Sequence, residues 1–134
     1  MNRLLLTSLL TALALAGCGP KPPLEGQQDP YIPKQIHLVD VDLAPRVRFD
    51  EPVYARDPAG LLYITIQVRN TTDQTIYIDY RVTFLDDNKQ VVWQTTWLNK
   101  TLSARTFDRI SVNSTSPRAT DFQIDVRYAK ITGR

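Results

Sequence analysis

The sequence is poor in the residues that catalysis and metal binding usually require. Its 134 residues include one cysteine, Cys18, and one histidine, His37. A single cysteine excludes a disulfide framework, and a single histidine leaves zinc and copper without the ligands that they favour. The sequence also lacks a GxSxG motif and a glycine-rich phosphate loop. We therefore predict that the protein is not an enzyme, has no catalytic residues and binds no metal or cofactor.

An excess of charge of one sign is also absent. Sixteen basic and 14 acidic residues are interspersed along the chain and give a formal net charge of +2. That balance produces no large field that would steer the protein onto nucleic acid. The composition therefore predicts no nucleic-acid partner, and the length predicts a single folded domain.

The apolar run near the N-terminus is too short to cross a membrane as a helix. It extends from Leu4 to Leu15, after the positively charged start Met1-Asn2-Arg3. Spanning about 30 Å of hydrocarbon takes more residues than this run contains. A basic start, a short apolar run and then small residues are typical of an export signal. We predict a signal peptide at residues 1–17, which would be absent from the mature protein.

The only cysteine ends this signal, in the stretch Leu15-Ala16-Gly17-Cys18. These four residues resemble the lipobox of bacterial lipoproteins. The resemblance implies that the Cys18 thiol receives a diacylglyceryl group, that a peptidase cuts before Cys18, and that the new amino group is acylated, as with palmitate. Two or more such chains anchor a protein firmly in a membrane. Gly19 stands where an aspartate commonly retains lipoproteins in the inner membrane, so it suggests the outer membrane, with the domain facing the periplasm. The alternative is a soluble secreted protein with a coincidental cysteine.

Residues 18–35 join the lipidated Cys18 to the rest of the chain and are rich in proline. The stretch from Gly19 to Gln35 holds five prolines and two glycines. Proline fixes φ and cannot donate to a β-ladder, so we predict an extended, semi-rigid tether. At about 3.1 Å per residue, the tether would lift the domain roughly 50 Å from the membrane. A proline-rich ligand for a partner is the alternative.

From Ile36 onward, apolar and polar residues alternate with a period of two. In one stretch, Leu62, Ile64, Ile66 and Val68 alternate with Tyr63, Thr65 and Gln67. Such alternation, rich in β-branched and aromatic residues, is typical of half-buried strands. The predicted strands lie near residues 36–43, 46–54, 61–70, 75–85, 90–97, 105–113 and 120–129. About seven strands at residues 36–134 predict an all-β, two-sheet antiparallel sandwich, with a partly open barrel as the alternative.

Two stretches, NTTDQTIYIDYRVTFLDDNKQVV and SARTFDRISVNSTSPRATDFQIDV, resemble the YcfL family of small bacterial envelope lipoproteins. The resemblance is carried by Asn70-Thr71-Thr72, Tyr80, Arg81, Phe84, Asp86 and the closing run 116–122. Two positions differ from the family's pattern: Leu85 stands where an aromatic is frequent, and Asn88-Lys89 where a turn glycine is usual. The resemblance implies an immunoglobulin-like β-sandwich and an outer-membrane lipoprotein. It implies no biochemical activity.

The titratable residues form few groupings that suggest chemistry. His37 would share a strand face with Val39, Val41 and Leu43, and we interpret it as a packed or edge histidine rather than a general base. Asp40 and Asp42 would share one strand face, and Asp86 and Asp87 would lie in a turn. Paired acids can hydrolyse glycosides or hold calcium. We interpret the first pair as a solvated strand face and the second as turn chemistry.

Four charged residues on two predicted strands are expected to pair with one another. Asp79 and Arg81 lie on one strand, and Asp125 and Arg127 on another, all on the polar side of the alternation. They would form cross-strand ion pairs on an exposed sheet. This arrangement favours solubility rather than catalysis.

Trp93 and Trp97 form the candidate binding surface. In the stretch VWQTTWL they would lie on one face of a strand, about 13 Å apart. Exposed indoles at this spacing can stack on the sugar rings of peptidoglycan or on a partner protein. A sandwich also often buries a tryptophan in its core, and we expect at least one of the two to be buried.

Together these features predict an outer-membrane-anchored, non-catalytic module that binds or assembles an envelope protein partner. The alternative is a peptidoglycan-binding or other glycan-binding module that uses Trp93 and Trp97. A more distant alternative is an envelope hydrolase, which would need an acidic pocket around Asp40 and Asp42.

Overall fold

The computed structural model describes residues 31–130, which form nine β-strands and one short 3₁₀ helix, Val41–Leu43. The strands are β1 (Ile36–Leu38), β2 (Val47–Phe49), β3 (Val53–Arg56), β4 (Leu62–Asn70), β5 (Ile76–Leu85), β6 (Val91–Gln94), β7 (Leu98–Leu102), β8 (Phe107–Asn113) and β9 (Asp121–Tyr128). The predicted signal peptide and residues 18–30 of the predicted tether lie outside the described residues. Within residues 31–130, no helix has the length and apolar character needed to cross a membrane.

The strands form two sheets. In sheet 1 the order is β1-β9-β5, and β6 and β7 follow one another along the free edge of β5. In sheet 2, β4 is central, with β2 and β3 along one edge and β8 along the other. The pair β1–β9 is parallel and the other pairs are antiparallel. The predicted all-β sandwich is confirmed.

The apolar rows of the two sheets form one core between them. The core rows of the two central strands are Leu62, Ile64, Ile66 and Val68 on β4 and Ile76, Ile78, Val82 and Phe84 on β5, all at most 3 % exposed. Fully burying one such side chain contributes about 1.5–3 kcal/mol. The side chains between them in sequence point to the two outer faces.

Three predicted strands differ from the observed ones. The strand predicted at residues 36–43 ends at Leu38, because Asp40 begins a turn in which its carbonyl accepts the Leu43 N–H at 3.0 Å. The strand predicted at residues 46–54 is divided at Pro52, which has no N–H to donate to the ladder. The third, predicted at residues 90–97, ends at Gln94, and β7 was not predicted.

A β-bulge separates β6 from β7. Thr83 pairs with Gln94, and Tyr80 pairs with Leu98. Residues 81 and 82 of β5 therefore lie opposite three residues, 95–97, of the segment that joins β6 to β7. The Thr95 hydroxyl accepts the N–H of Val82 at 3.0 Å, where a regular ladder would use a backbone carbonyl. Beyond the bulge, the alternation between core and outer face is shifted by one residue.

Asn70 is a fully buried polar residue at the end of β4. Its amide nitrogen donates to the carbonyls of Gln74 (2.7 Å) and Leu102 (2.9 Å). Its amide oxygen accepts the backbone N–H and the hydroxyl of Thr72 at 2.9 and 2.8 Å. Asn70 therefore joins sheet 2, the following turn and β7 of sheet 1.

We expect Asn70→Ala to lower the free energy of unfolding by about 3 kcal/mol, since it leaves the buried Leu102 carbonyl and the part-buried Gln74 carbonyl and Thr72 N–H without their partner. Urea unfolding measures the change, with Asn113→Ala on the exposed side of β8 as the control. A loss for Asn70→Ala no larger than for the control would show that the buried amide does not join the two sheets.

Candidate functional site

The outer face of sheet 1 carries two cross-strand ion pairs. Asp79 pairs in register with Arg127, and Arg81 with Asp125. The Arg81 Nη2–Asp125 Oδ2 distance is 2.9 Å and the Arg127 Nη2–Asp79 Oδ2 distance is 3.4 Å. These four residues, the sheet-1 charge cluster, confirm the predicted ion pairs.

Trp97 covers this cluster. Its ring centroid lies 3.8 Å from the guanidinium carbon of Arg127 and 4.6 Å from that of Arg81. Both contacts are in the range of cation–π interactions. The Asp79 and Asp125 residues beneath are only 8 % and 7 % exposed. The ion pairs are therefore less screened by water than ordinary surface pairs.

Burial and hydrogen bonding shift the pKa values of the Asp79 and Asp125 carboxyl groups in opposite directions. Burial raises the pKa of Asp125, but hydrogen bonds from Arg81, Gln123 and His37 outweigh it and hold the pKa below 3.8. For Asp79, burial is likewise outweighed by hydrogen bonds, the largest from the Lys130 N–H, and the pKa again falls below 3.8. Both groups are therefore ionised at neutral pH, and the four charges of the cluster cancel.

His37 lies on the edge strand β1, beside this cluster. Its Nδ1 atom is 3.1 Å from Asp125 Oδ1, and its side chain is 63 % exposed. The prediction of an edge histidine is confirmed. The carboxylate that it contacts, Asp125, also forms the ion pair with Arg81.

The two tryptophans lie on opposite sides of sheet 1. Trp93 faces the core and stacks on Phe84, with ring centroids 5.6 Å apart and an interplanar angle of 20°. Trp97 lies on the outer face over the guanidinium groups. The prediction that both indoles share one face is wrong, because the extra residue of the bulge shifts the alternation between them. Both are partly buried and form no common platform.

The acidic pairs do not form an acid–base site. Asp40 and Asp42 leave the strand pattern, since Asp40 accepts the Tyr128 N–H at 2.8 Å and Asp42 lies in the 3₁₀ helix. The prediction that they share a strand face is therefore wrong. Asp86 accepts the N–H groups of Asn88 and Gln90, which confirms the predicted turn chemistry. The residue of that turn with a left-handed backbone is Lys89, with φ 61°. Residues 31–130 contain no group of three or more His, Cys, Asp or Glu side chains placed to hold a metal.

The outer face of sheet 2 has a different composition. We define the sheet-2 outer face by the outward side chains of its strands, Arg48, Val53, Ala55, Tyr63, Thr65, Gln67, Arg69, Phe107, Arg109, Ser111 and Asn113. Three of its apolar or aromatic residues are conspicuously exposed, Val53 (70 %), Phe107 (62 %) and Tyr63 (38 %). One depression, of about 480 Å³, lies on this face and is lined by Val53, Tyr63 and Arg109. Another, of about 490 Å³, lies away from this face and is lined by Tyr77 and Tyr128.

The arginines of this face form no ion pairs. Among residues 31–130, Arg48, Arg69 and Arg109 have no salt bridge. Arg48 and Arg69 lie directly opposite each other in register. The guanidinium carbon of Arg69 is 4.8 Å from the ring centroid of Phe107. Unlike sheet 1, sheet 2 therefore presents arginines without salt bridges beside exposed aromatic rings, and Asp50 and Glu51 line the same depression as Arg109.

Tyr63 lies among polar neighbours on the same face. The neighbouring Ser111 and Thr65 hydroxyls, together with the charge of Arg109, lower the pKa of the Tyr63 phenol from its ordinary value. The alternation in the sequence placed Tyr63, Thr65 and Gln67 on an outer face correctly. It did not identify the arginines as a group, since that depends on which strands are neighbours.

Comparisons with known proteins identify a family and a fold. A family model described as "Protein of unknown function (DUF1425)" matches residues 34–128. The Campylobacter jejuni protein cj0090 is similar, with 15 % identity over 71 % of this chain and 98 % of that chain and a TM-score of 0.58. A DUF1425 family member from Shewanella sp. pv-4 has 19 % identity over 63 % of this chain and 79 % of that chain, with a TM-score of 0.57. No curated protein matches the sequence. At these identities the two structures show a shared fold.

The sheet-1 charge cluster makes the stability of the protein depend on pH. Because the folded pKa values of Asp79 and Asp125 lie below 3.8, the unfolded chain binds more protons near that pH. Their stabilisation is present above about pH 4 and is lost as the pH falls through the folded pKa values.

We expect Asp79→Asn and Asp125→Asn to lower stability at about pH 7 and to reduce the further loss between about pH 4 and pH 2. Urea unfolding across this range measures both effects. Asp87→Asn, in an exposed turn, is the control. We expect this variant to keep the full loss of stability at acid pH. An unchanged acid loss in the Asp79 and Asp125 variants would contradict the prediction.

Proposed function

Because the chain belongs to the DUF1425 family of proteins of unknown function, we propose that it is a lipid-anchored, non-catalytic binding module of the bacterial envelope. In this proposal, Cys18 holds it in the outer membrane, the domain faces the periplasm, and the sheet-2 outer face binds a protein partner. The proposal includes membership of the YcfL-type lipoproteins, which rests on the sequence resemblance.

The observation that carries the proposal is the contrast between the two outer faces. On sheet 1, the charges of the cluster are paired and Trp97 covers them. On sheet 2, exposed Phe107 and Tyr63 lie beside arginines without salt bridges in the described chain. Protein interfaces are enriched in aromatic residues and arginine, and these types carry most of the binding energy. Sheet 2 therefore has the composition of a binding surface.

The acidic residues support a non-catalytic role. The hydrolase alternative needed a pocket where Asp40 and Asp42 converge. The Asp40 carboxylate instead accepts the Tyr128 N–H, and Asp42 belongs to the short helix beside it. Glycosidic hydrolysis requires two free carboxyl groups that flank one bond, which this arrangement does not provide.

A lipid anchor and a tether would raise the local concentration of this binding surface near its partner. A module held within tens of ångströms of its partner meets it at an effective concentration set by the length and stiffness of the tether, up to about millimolar. A modest intrinsic affinity would then suffice for stable assembly at the membrane.

The anchor is tested by Cys18→Ser. We expect the variant to lose incorporation of labelled palmitate and to leave the membrane fraction, since no thiol remains to carry a diacylglyceryl group. Gly19→Asp is the matched variant, which we expect to keep the label and move from the outer to the inner membrane on a density gradient. Retention of Cys18→Ser in the outer-membrane fraction would contradict the proposed anchor.

The binding face is tested by site-specific photocrosslinking in cells. We expect a photoreactive amino acid at Gln67, in the middle of the sheet-2 outer face, to form a discrete protein adduct. The same amino acid at Tyr77, an exposed position on sheet 1, should not. Arg69→Glu should abolish the Gln67 adduct by reversing a charge at the site.

Equal adducts from both faces, or an adduct unaffected by Arg69→Glu, would contradict the proposed binding face. The glycan alternative relied on a shared platform of Trp93 and Trp97, which their opposite orientations remove. Saturable binding to isolated peptidoglycan sacculi that Trp97→Ala abolishes would favour that alternative instead.

A further inference from the structure

Strand β8 is a free edge of sheet 2. Its residues pair with β4 on one side over seven positions, and no strand among residues 31–130 pairs with its other side. The Asn70 N–H donates to the Thr106 carbonyl, and the Ser114 N–H donates to the Leu62 carbonyl. These two hydrogen bonds determine the phase of the ladder, that is, which residues of β8 direct their backbone groups towards β4. In that phase, alternate residues of β8 direct their backbone groups away from β4. These are Phe107, Arg109, Ser111 and Asn113.

One of these outward N–H groups is already covered. The Arg109 N–H donates to Asp108 Oδ1 at 2.6 Å, and the same carboxylate forms an ion pair of 3.1 Å with Lys100 of β7. Asp108 thus closes one position of the edge, as charged residues on natural edge strands often do. The outward N–H groups of Phe107, Ser111 and Asn113 remain open, in a chain segment long enough to pair with another strand.

Positive charge lies directly beside this edge. Arg109 is on β8 itself, Arg69 is diagonal to it on β4, and Arg48 lies opposite Arg69 on β2. Like charges in directly opposed positions destabilise a sheet. A carboxylate beside Arg109 and within reach of Arg69 would offset part of this positive charge, since charge-assisted hydrogen bonds to carboxylate are strong.

We propose that the partner adds an extended, acidic segment to β8 as a further strand of sheet 2. This inference rests on the proposed function and specifies how the partner would bind. Backbone hydrogen bonds to the outward groups of β8 would hold the segment, as in other cases of strand addition. Its alternate side chains would lie on the sheet-2 outer face, with a carboxylate beside Arg109 and an apolar side chain beside Phe107, about 7 Å further along.

Two other occupants fit these features less well. A second copy of the chain would bring its own Arg109 and Arg69 against the first set, so like charges would meet. An anionic membrane would satisfy the arginines, but it has no groups arranged to pair with a row of backbone N–H and carbonyl groups. Both occupants are outcomes of the experiment.

Hydrogen exchange of the full chain tests the proposal, in detergent for the soluble probes and without detergent for the vesicles. The probes are a blocked seven-residue peptide that alternates glutamate and valine, its lysine–valine counterpart, inorganic phosphate, and vesicles rich in phosphatidylglycerol. We expect the acidic peptide alone to slow exchange at the amides of Phe107, Ser111 and Asn113. Exchange along β6 and β7, the edge of sheet 1, should stay unchanged and serves as the internal control.

Variants separate the backbone contribution from the charge. Ser111→Pro removes an N–H that does not take part in the β4–β8 ladder, whereas Ser111→Thr keeps it. We expect the proline variant to lose protection by the acidic peptide and the threonine variant to keep it. Arg109→Glu, in which the backbone is unchanged, should weaken binding of the acidic peptide by about tenfold or more. Circular dichroism checks that each variant is folded.

Each other result overturns the proposal. Equal protection by the lysine peptide would remove the role of charge, and protection by vesicles or phosphate alone would replace the protein segment with a different anion. Protection that grows with protein concentration without peptide would indicate a second copy. If no probe protects β8 while the Gln67 crosslink persists, strand addition fails and the proposed binding face stands. If the crosslink itself is absent from sheet 2, the proposed function fails.

Discussion

Burial of one apolar layer between the two sheets is the constraint on which the rest of the structure depends. Strands β4 and β5 each contribute a row of nearly inaccessible side chains to this layer. Because side chains alternate along a strand, each buried row determines which residues form the outer faces. The cluster on sheet 1 and the arginines on sheet 2 lie where they do because their sequence neighbours are in the core.

The alternation in the sequence was sufficient to predict the long strands and the sandwich. Leu62, Ile64 and Ile66 are buried as expected, and the turn at Asp86 has the expected hydrogen bonds. The ion pairs of Asp79 and Asp125 were also predictable, because both strands carry the acid two residues before the base and antiparallel pairing then places each acid opposite a base. Family resemblance and strand patterning agreed at these positions.

Other features depend on contacts between distant segments and could not be predicted from the pattern. The bulge at residues 95–97 becomes visible only when this segment is paired with β5, and it decides on which side Trp97 lies. The arginine group likewise depends on β2 and β8 flanking β4, which no local pattern encodes. The sequence therefore predicted the elements of the fold better than the chemistry of its surfaces.

The bulge also places the two tryptophans in different surroundings. Trp93 stacks on Phe84 inside the sandwich, whereas Trp97 lies against the guanidinium groups of Arg127 and Arg81 on the outside. The first indole is in an apolar environment and the second is next to positive charge, so their emission responds to different events. Intrinsic fluorescence of this protein therefore contains two reporters, one for loosening of the core and one for rearrangement of a single face.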